Sequence, residues 1–324
     1  MDVQIQKTTD YELSWDIIRC EFKSVVLSDY QIPEFVRRRR NSPLRWVGSK
    51  SKATQDLFRL RPKRFATFCE PFAGSAAMAF YVRRHLVGNP DDFKILIADT
   101  NEDLINFYQC LKADPDTLTR LVLSFPSNIS LLQFRVIKQM LTNATGMERA
   151  AAFYVINRNA YGGFQQASYG NAQKRNMFSL ATTLELPAFS QLLQSIDIKH
   201  ADFIETLFTV NNENTWVYLD PPYTMIKSDS EFWSEKHKTY FYNDVFDKYE
   251  ELAQLCKSIK ASIMVSIDDT PATRTMFAGL NTYQRKVRYI AHRDQGGEKH
   301  RSELVVLNYD IGHNIITELG WERL

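Results

Sequence analysis

Short apolar runs alternate with stretches of helical periodicity from about residue 65 onward. Phe65–Cys69 and Lys94–Ala98 are each long enough for one buried strand. Each is followed by a segment with apolar residues at helical spacing, Ser75–Leu86 and Glu102–Lys112. Strand–helix–strand–helix order is typical of a parallel sheet with helices on its faces. The chain is therefore predicted to be an α/β protein.

The same alternation returns near residue 195. One amphipathic stretch, Phe246–Lys260, predicts a helix, and apolar runs predict further strands. These runs are Ser195–Lys199, Thr215–Leu219, Ser262–Ile267, Tyr283–Ile290 and Glu303–Tyr309. A polar loop that contains glycine joins the last two runs, which indicates an antiparallel pair. We expect about seven strands in a mostly parallel sheet.

The stretch between these two parts lacks the buried strands of such a sheet. It begins helical and becomes polar and glycine-rich through Tyr161–Ser179. We therefore expect residues 115–190 to form an inserted helical subdomain. The main domain would then comprise residues 43–114 and 191–324, and residues 1–42 would be an N-terminal extension.

Basic residues cluster in three stretches, although the formal net charge is only +2. Phe35–Arg64 holds eleven Lys or Arg residues and one acid, and the other basic stretches are Ser127–Leu180 and Tyr283–Arg301. Such clustering indicates one surface that faces a polyanion. The alternative is three solvated faces that point in different directions, and the run Arg37–Arg40 is open to both interpretations.

The four cysteines lie far apart, with no CxxC motif and no paired His/Cys spacing. Their placement argues against a zinc site and against a disulfide framework, and it favours a reducing compartment. The sequence contains no recognisable signal peptide and no apolar run of membrane-spanning length. We expect a cytoplasmic protein that uses no metal.

The tetrapeptide Asp220-Pro221-Pro222-Tyr223 directly follows the apolar run TWVYL. In open α/β sheets, ligands bind at the carboxyl ends of strands. The Asp220 carboxylate and the Pro221 carbonyl can accept the two N–H groups of the adenine N6 amine, and Tyr223 can stack on the base. Consecutive prolines make this acceptor edge rigid. The alternative is a proline-rich turn in which Asp220 caps the next segment.

Two further features suit a nucleoside ligand. The small residues of Cys69–Ala77, around Gly74, would let the backbone approach a ligand at a helix N-terminus, although a tight strand–helix turn explains them equally well. Asp99 ends the second strand, where an acid can accept hydrogen bonds from ribose hydroxyls. Capping of the following helix is the alternative role for Asp99.

Two weaker candidates are the basic turn Arg45–Lys50 and the pair Asp202-Phe203. Trp46 could contact an adenine ring or a methionine chain, and Lys50 could bind a carboxylate. An acid beside an aromatic ring, as in Asp202-Phe203, could hold an adenine. Taken alone, both segments are explained equally well by ordinary packing and solvation.

Taken in order, these segments resemble the Dam-type N6-adenine DNA methyltransferases of the alpha arrangement. In that family the cofactor motif comes first, target recognition second and DPPY third. The similarity covers about residues 45–310. The segments that carry it are RWVGSK (45–50), EPFAGSAA (70–77), IADTNEDLINFYQCLK (97–112), FYVINRNAYGGF (153–164), DPPY (220–223), IMVSIDDT (263–270) and RSELVVLNY (301–309).

The resemblance implies a Rossmann-like methyltransferase that transfers a methyl group from S-adenosylmethionine to N6 of an adenine flipped out of double-stranded DNA. Residues 115–190 would be its target-recognition region. Asp220, Pro221, Pro222 and Tyr223 would hold the adenine, and Asp220 would also reach the cofactor's amino group. The cofactor site would be lined by Trp46, Lys50, Glu70, Phe72, Gly74, Asp99, Asp202 and Phe203.

Four positions mark where the chain departs from that family pattern. Arg45 and Ser49 stand where the family's first motif has Lys and Gly, and Ala76 replaces the second glycine of the cofactor loop. After Gly163 the sequence leaves the usual recognition hairpin, so no target sequence follows from the resemblance.

Basic side chains in the insertion and the late loop are candidates for contact with DNA phosphates. They are Arg158, Lys174, Arg175, Arg293, Lys299 and Arg301. Amide side chains such as Asn157 and Asn159 suit base edges in the major groove. A nucleoid-associated enzyme is expected. Methylation of adenine in RNA or of N4 of cytosine, and a non-catalytic nucleic-acid binder on the same scaffold, are the alternatives, and a companion restriction nuclease is left open.

Overall fold

The computed structural model describes residues 41–86, 93–160, 163, 169, 178–222, 248–289 and 299–324. Packing divides these residues into two compact units. One joins the described residues up to Ser51 to Thr100–His200, and the other joins Lys52–Asp99 to Ala201–Leu324. Each unit is described by itself below.

The described strands form one sheet in the order β3-β2-β1-β4-β5-β7-β6-β8. They are β1 Thr67–Glu70, β2 Lys94–Asp99, β3 Ile196–His200, β4 Thr215–Leu219, β5 Ser262–Asp268, β6 Asn281–Tyr289, β7 Lys299–Leu307 and β8 Glu322–Arg323.

The sheet is parallel from β2 to β5 and antiparallel beyond β5. β1 pairs in parallel with both β2 and β4, and β4 pairs in parallel with β5. β7 then runs antiparallel to β5 and β6, and β8 runs antiparallel to β6. The predicted α/β class, the mostly parallel Rossmann-like sheet and the late antiparallel pair are confirmed. The two-residue strand β8 raises the number of strands to eight.

Twelve helices are seen in the described part of the chain. They are α1 Thr54–Arg59, α2 Ala77–His85, α3 Glu102–Ala113, α4 Pro115–Leu123, α5 Leu131–Asn143, α6 Gly146–Asn159, α7 Leu180–Thr183, α8 Leu186–Leu193, α9 Phe203–Thr209, α10 Tyr249–Ser258, α11 Pro271–Met276 and α12 His313–Glu318.

The core of the second unit explains why β4 is a central strand. All five of its residues are buried, and alternate ones, Val217 and Leu219, pack on Ile263 and Val265 of β5. Helices α9 and α10 cover the same core. Removing one such aliphatic side chain from water contributes about 1.5–3 kcal/mol. This packing holds the carboxyl ends of the central strands in fixed positions.

The first unit is mainly helical. Its central helix α6 is buried at every residue from Ala150 to Asn159, and it packs against α3, α4 and α5. This packing groups residues 100–114 and 191–200 with the helices, whereas the sequence assigned them to the main domain. The reason is that α3 lies against α6, a contact that chain order does not indicate.

Candidate active site

Three acidic residues lie at the carboxyl ends of adjacent parallel strands. Glu70 ends β1, Asp99 ends β2, and Asp220 directly follows β4. Because β1 pairs in parallel with both neighbours, all three acids lie along one edge of the sheet. This is the edge at which open α/β sheets bind ligands.

The turn after β1 is bonded to the end of β2. The Ala73 N–H donates to the Ala98 carbonyl at 2.9 Å, and the Gly74 N–H donates to Asp99 Oδ2 at 3.0 Å. Gly74 is buried and has a φ of +44°, a conformation that glycine adopts without the steric cost of a Cβ. Two segments that the sequence identified separately, around Gly74 and Asp99, therefore meet.

Glu70 is buried inside this turn and acts as a helix cap. It is 4% exposed, and its Oε2 accepts the backbone N–H of Ala79 in the first turn of α2 at 2.8 Å. Ala76, the residue before α2, has a φ of +50° and no side chain that could cap the helix. The Glu70 carboxylate therefore supplies the acceptor that an N-cap residue ordinarily provides.

The surroundings of Glu70 oppose its ionisation. Burial raises the pKa of its carboxyl group well above the ordinary value, and the nearby carboxylates of Asp220 and Asp99 raise it further. The bond from Ala79 works in the opposite direction without reversing the shift. Like charges interact strongly where water is excluded, so the two neighbouring carboxylates favour the protonated form of Glu70.

Asp202 caps α9 and forms an ion pair. Its Oδ1 accepts the backbone N–H groups of Ile204 at 2.8 Å and Glu205 at 3.1 Å, and its Oδ2 lies 2.7 Å from Lys248 Nζ. Burial alone would raise the pKa of Asp202, but the bonds from Lys248 and the two N–H groups hold it below the ordinary value. Lys248 was not predicted as a partner of Asp202, because the two residues are 46 positions apart.

Two of the aromatic residues assigned to the cofactor contact each other. The rings of Phe72 and Phe203 stack at a centroid distance of 5.2 Å with 29° between their planes. Phe203 is buried in the core of the second unit, and Phe72 packs against that core while remaining half-buried. The turn after β1 is thus attached to the start of α9.

The DPPY segment is described up to Pro222. Asp220 is half-buried, Pro221 is buried and Pro222 is half-buried, directly after the fully buried β4. Tyr223 lies outside the described residues. The segment therefore follows a central strand, with an acidic group at the predicted end of the sheet.

Trp46 and Lys50 lie in the first unit, in a turn with its own hydrogen bonds. The Ser49 N–H donates to the Trp46 carbonyl at 3.1 Å, and Lys50 Nζ donates to the Gly48 carbonyl at 3.1 Å. Trp46 is half-buried and Lys50 is 8% exposed. Their role in cofactor binding stays a prediction.

The candidate DNA contacts are only partly described. Arg158 is 4% exposed, so most of its side chain is withdrawn from the surface. Asn157, which sequence reasoning gave to base edges, is 1% exposed, and its amide bonds to backbone groups. Lys174, Arg175 and Arg293 lie outside the described residues, as do the side chains of Lys299 and Arg301 in β7. These assignments stay predictions.

The residues that the structure describes contain no metal-binding cluster and no membrane-spanning helix. No three His, Cys, Asp or Glu side chains of the described chain come together in a way that could hold a metal ion. None of the described helices combines the length and the apolar character needed to cross a membrane.

Comparison with known proteins gives a consistent result. A family model described as D12 class N6 adenine-specific DNA methyltransferase matches residues 46–290. A DNA adenine methylase of Vibrio cholerae is 25% identical over 282 residues, which cover 83% of this chain and 96% of the relative. A DNA adenine methylase of Haemophilus influenzae is 26% identical over 261 residues, covering 75% and 85%. A type II methyltransferase of Lactococcus lactis subsp. cremoris is 23% identical over 278 residues, covering 82% and 94%.

Proposed function

This chain belongs to the D12 class N6 adenine-specific DNA methyltransferase family, and from that premise we propose that it transfers a methyl group from S-adenosylmethionine to N6 of an adenine flipped out of double-stranded DNA. DNA adenine methylation and a methyl donor of the S-adenosylmethionine type follow from the family. The identity of the donor, the duplex substrate and the residues that bind each of them are the proposal.

The observation that carries the proposal is the row of Glu70, Asp99 and Asp220 at the carboxyl ends of β1, β2 and β4. The donor's ribose hydroxyls need acceptors at the end of the second strand, and Asp99 is there, oriented by the Gly74 N–H. A side chain in place of Gly74 would keep the backbone of this turn away from a ligand. The residues present therefore fit a nucleoside-bearing donor.

Further groups complete the proposed donor site. Asp202 would accept an N–H of the donor's adenine while Lys248 holds its carboxylate in place. Phe72 and Phe203 would provide the apolar wall beside that ring. Glu70 would act through the turn, because its described bond goes to the α2 backbone. Trp46 and Lys50 would contact the donor from the Arg45–Lys50 turn, as the family resemblance implies.

The adenine side of the site would depend on Asp220 and Pro221. Asp220 accepts one N–H of the N6 amine, and the Pro221 carbonyl accepts the other. Both bonds draw the nitrogen towards tetrahedral geometry and free its lone pair. The donor would supply an electrophilic sulfonium methyl group, whose bond to sulfur breaks as its bond to N6 forms, which leaves a neutral thioether, and N6 then loses a proton to solvent. Asp220 also stabilises the positive charge that develops on N6, so that catalysis rests on positioning and electrostatics.

Access to N6 requires that the adenine leave the duplex stack, which costs roughly a few kcal/mol. The hydrogen bonds to Asp220 and Pro221 would offset part of that cost. Stacking on Tyr223 would offset more, as the family resemblance implies. Arg158, Lys174, Arg175, Arg293, Lys299 and Arg301 are the proposed phosphate contacts.

One experiment tests this function. The protein is incubated with S-adenosylmethionine labelled in its methyl group and with either mixed-sequence duplex DNA or RNA of the same sequence. We expect label only in DNA and only as N6-methyladenine. Label in RNA, or in N4-methylcytosine, would overturn the proposal. Sequencing of the methylated DNA with detection of modified adenines then gives the recognition sequence.

A further inference from the structure

The Asn157 side chain, at the end of α6, joins two separate backbone segments. Its Oδ1 accepts the Arg45 N–H at 2.9 Å. Its Nδ2 donates to the Arg45 carbonyl at 2.7 Å and to the Gly163 carbonyl at 2.8 Å. With 1% of the residue exposed, these bonds are made where water does not compete. One amide therefore satisfies three backbone groups.

The Arg45 side chain returns to the same helix end. Its Nη1 donates to the carbonyls of Arg158 and Ala160, each at 3.1 Å. The last carbonyls of a helix have no partner within the helix and carry the negative end of its dipole, so a guanidinium stabilises them. Arg45 is thus bonded to the end of α6 through both its side chain and its backbone.

Glycine at position 163 allows this close approach. Gly163 has a φ of +85°, and a Cβ placed there would lie 2.6 Å from the Arg45 carbonyl oxygen and 2.8 Å from the Arg45 Cβ. Both contacts are too short for any residue with a side chain. Residue 163 can therefore lie against Arg45 only because it is glycine.

Arg45 directly precedes the turn that carries Trp46 and Lys50. That turn is closed by its own bonds, from Ser49 to Trp46 and from Lys50 to Gly48. A rotation or shift of Arg45 is therefore transmitted to Trp46 and Lys50.

We propose that Asn157 is a positioning residue that couples donor binding to DNA recognition, by holding the Arg45–Lys50 turn against the Asn157–Gly163 segment. The inference rests on the proposed function, which gives the turn to the methyl donor and places that segment in the recognition region. A donor that orders the turn then also orders the recognition segment. DNA should accordingly bind more tightly when the donor site is filled, and the reverse must also hold.

The test measures this coupling without turnover. DNA affinity is measured by fluorescence anisotropy on a duplex that contains the recognition sequence, with and without saturating S-adenosylhomocysteine. The coupling factor is the ratio of the two dissociation constants. For the wild-type protein we expect a factor of about five or more, the usual lower end of coupling between sites.

Three variants separate the clamp from general stability. Asn157→Asp keeps the oxygen that accepts the Arg45 N–H. It replaces the Nδ2 donor with a second oxygen, which faces the carbonyls of Arg45 and Gly163. Arg45→Met leaves the Asn157 amide bonds in place and removes the Nη1 bonds to the Arg158 and Ala160 carbonyls. Asn106→Ala is the matched control, because the Asn106 amide donates to the Gly146 carbonyl at 3.0 Å, at the opposite end of α6.

We expect the coupling factor to fall to about one in Asn157→Asp, to fall by about half in Arg45→Met and to keep its wild-type value in Asn106→Ala. A folded Asn157→Asp protein with wild-type coupling would overturn the inference. An equal loss in Asn106→Ala would overturn it as well. If Asn157→Asp does not fold, wild-type coupling in Arg45→Met is the contradicting result.

Failure of the inference is distinguishable from failure of the proposed function. A wild-type protein that forms no N6-methyladenine in DNA would refute the proposed function itself. A wild-type protein that methylates DNA but shows a coupling factor of one would refute only the role assigned to Asn157.

Discussion

The turn after β1 and the turn that carries Trp46 are held in different ways. The first is held by several independent bonds, from Ala73 to Ala98, from Gly74 to Asp99 and from Ala79 to Glu70. The geometry of the turn after β1 therefore does not depend on a single contact. The Trp46 turn has its own bonds, but its attachment to the end of α6 depends on the side chains of Asn157 and Arg45 and on a glycine at position 163. We expect the first turn to tolerate change and the second to fail at single positions.

Gly163→Ala should have the largest effect on stability. The added Cβ strains the backbone at positive φ and also meets the Arg45 carbonyl, so the free energy of unfolding should fall by about 3 kcal/mol or more. Gly279→Ala is the matched control, with a φ of +92° and no atom within 4 Å of the added Cβ. It should lose only about 1 kcal/mol, through strain alone. Urea unfolding measures both, and equal losses would show that the contact with Arg45 is unimportant.

Asp99→Ala should weaken binding of S-adenosylmethionine by about tenfold to a hundredfold. The substitution removes the carboxylate that accepts hydrogen bonds from the donor's ribose, and it also removes the partner of the Gly74 N–H. Asp99→Asn should lose less, since its amide oxygen can still accept that N–H. Calorimetry measures both. Asp269→Ala is the control, because Asp269 follows β5 but bonds to Arg274. A wild-type affinity in Asp99→Ala would exclude Asp99 from the donor site.

Glu70→Gln should change how stability depends on pH. The raised pKa of Glu70 means that its contribution to stability is complete below about pH 4.3 and is lost as pH rises through the folded-state pKa. Glutamine keeps an acceptor for Ala79 and has no such loss. The variant should therefore gain stability relative to the wild type as pH rises above about 4.3, measured by urea unfolding.

Glu102→Gln serves as the control for the pH experiment. Its side chain is 71% exposed at the start of α3, so the same substitution is made there without burial. A constant difference in stability between the wild type and Glu70→Gln across this range would show that Glu70 ionises normally in the folded protein.

Ala76→Gly should have the smallest effect. Glycine relieves the strain of a φ of +50° but loses the contacts of a fully buried methyl group, so the two changes nearly cancel, to within about 0.5 kcal/mol. Ala79→Gly, equally buried inside α2, has no strain to relieve and should cost about 1 kcal/mol. Thermal unfolding compares them, and equal losses would contradict the account of Ala76.

Local patterns predicted the sheet well. The bounds of β4, Thr215–Leu219, were predicted to the residue, because an apolar run with polar neighbours leaves little choice of strand. The short strand β8 was missed, since two exposed residues carry no pattern. The limits of α6 were not predicted either. That helix is buried on all sides, so its sequence lacks the one-sided periodicity that marks a surface helix.

The site shows a similar division. The motifs placed the acids at strand ends. The strands could be predicted from apolar runs, and open α/β sheets bind ligands at the carboxyl ends of their strands. The partners of those acids were not predictable, since Lys248 reaches Asp202, and Ala79 reaches Glu70, through packing that no local pattern encodes. The backbone bonds of Asn157 were not predictable either, so its amide was assigned to base edges. An amide suits a base or a backbone equally well, and only burial distinguishes the two.

The most direct test of the account is the product formed by Asp220→Ala. DNA treated with S-adenosylmethionine and either protein is digested to nucleosides and analysed by mass spectrometry. We expect N6-methyldeoxyadenosine from the wild type and a rate reduced by at least about a hundredfold in the variant, which thermal unfolding should show to be folded. Formation of N6-methyldeoxyadenosine by Asp220→Ala at the wild-type rate would contradict the central role of the acid that follows β4.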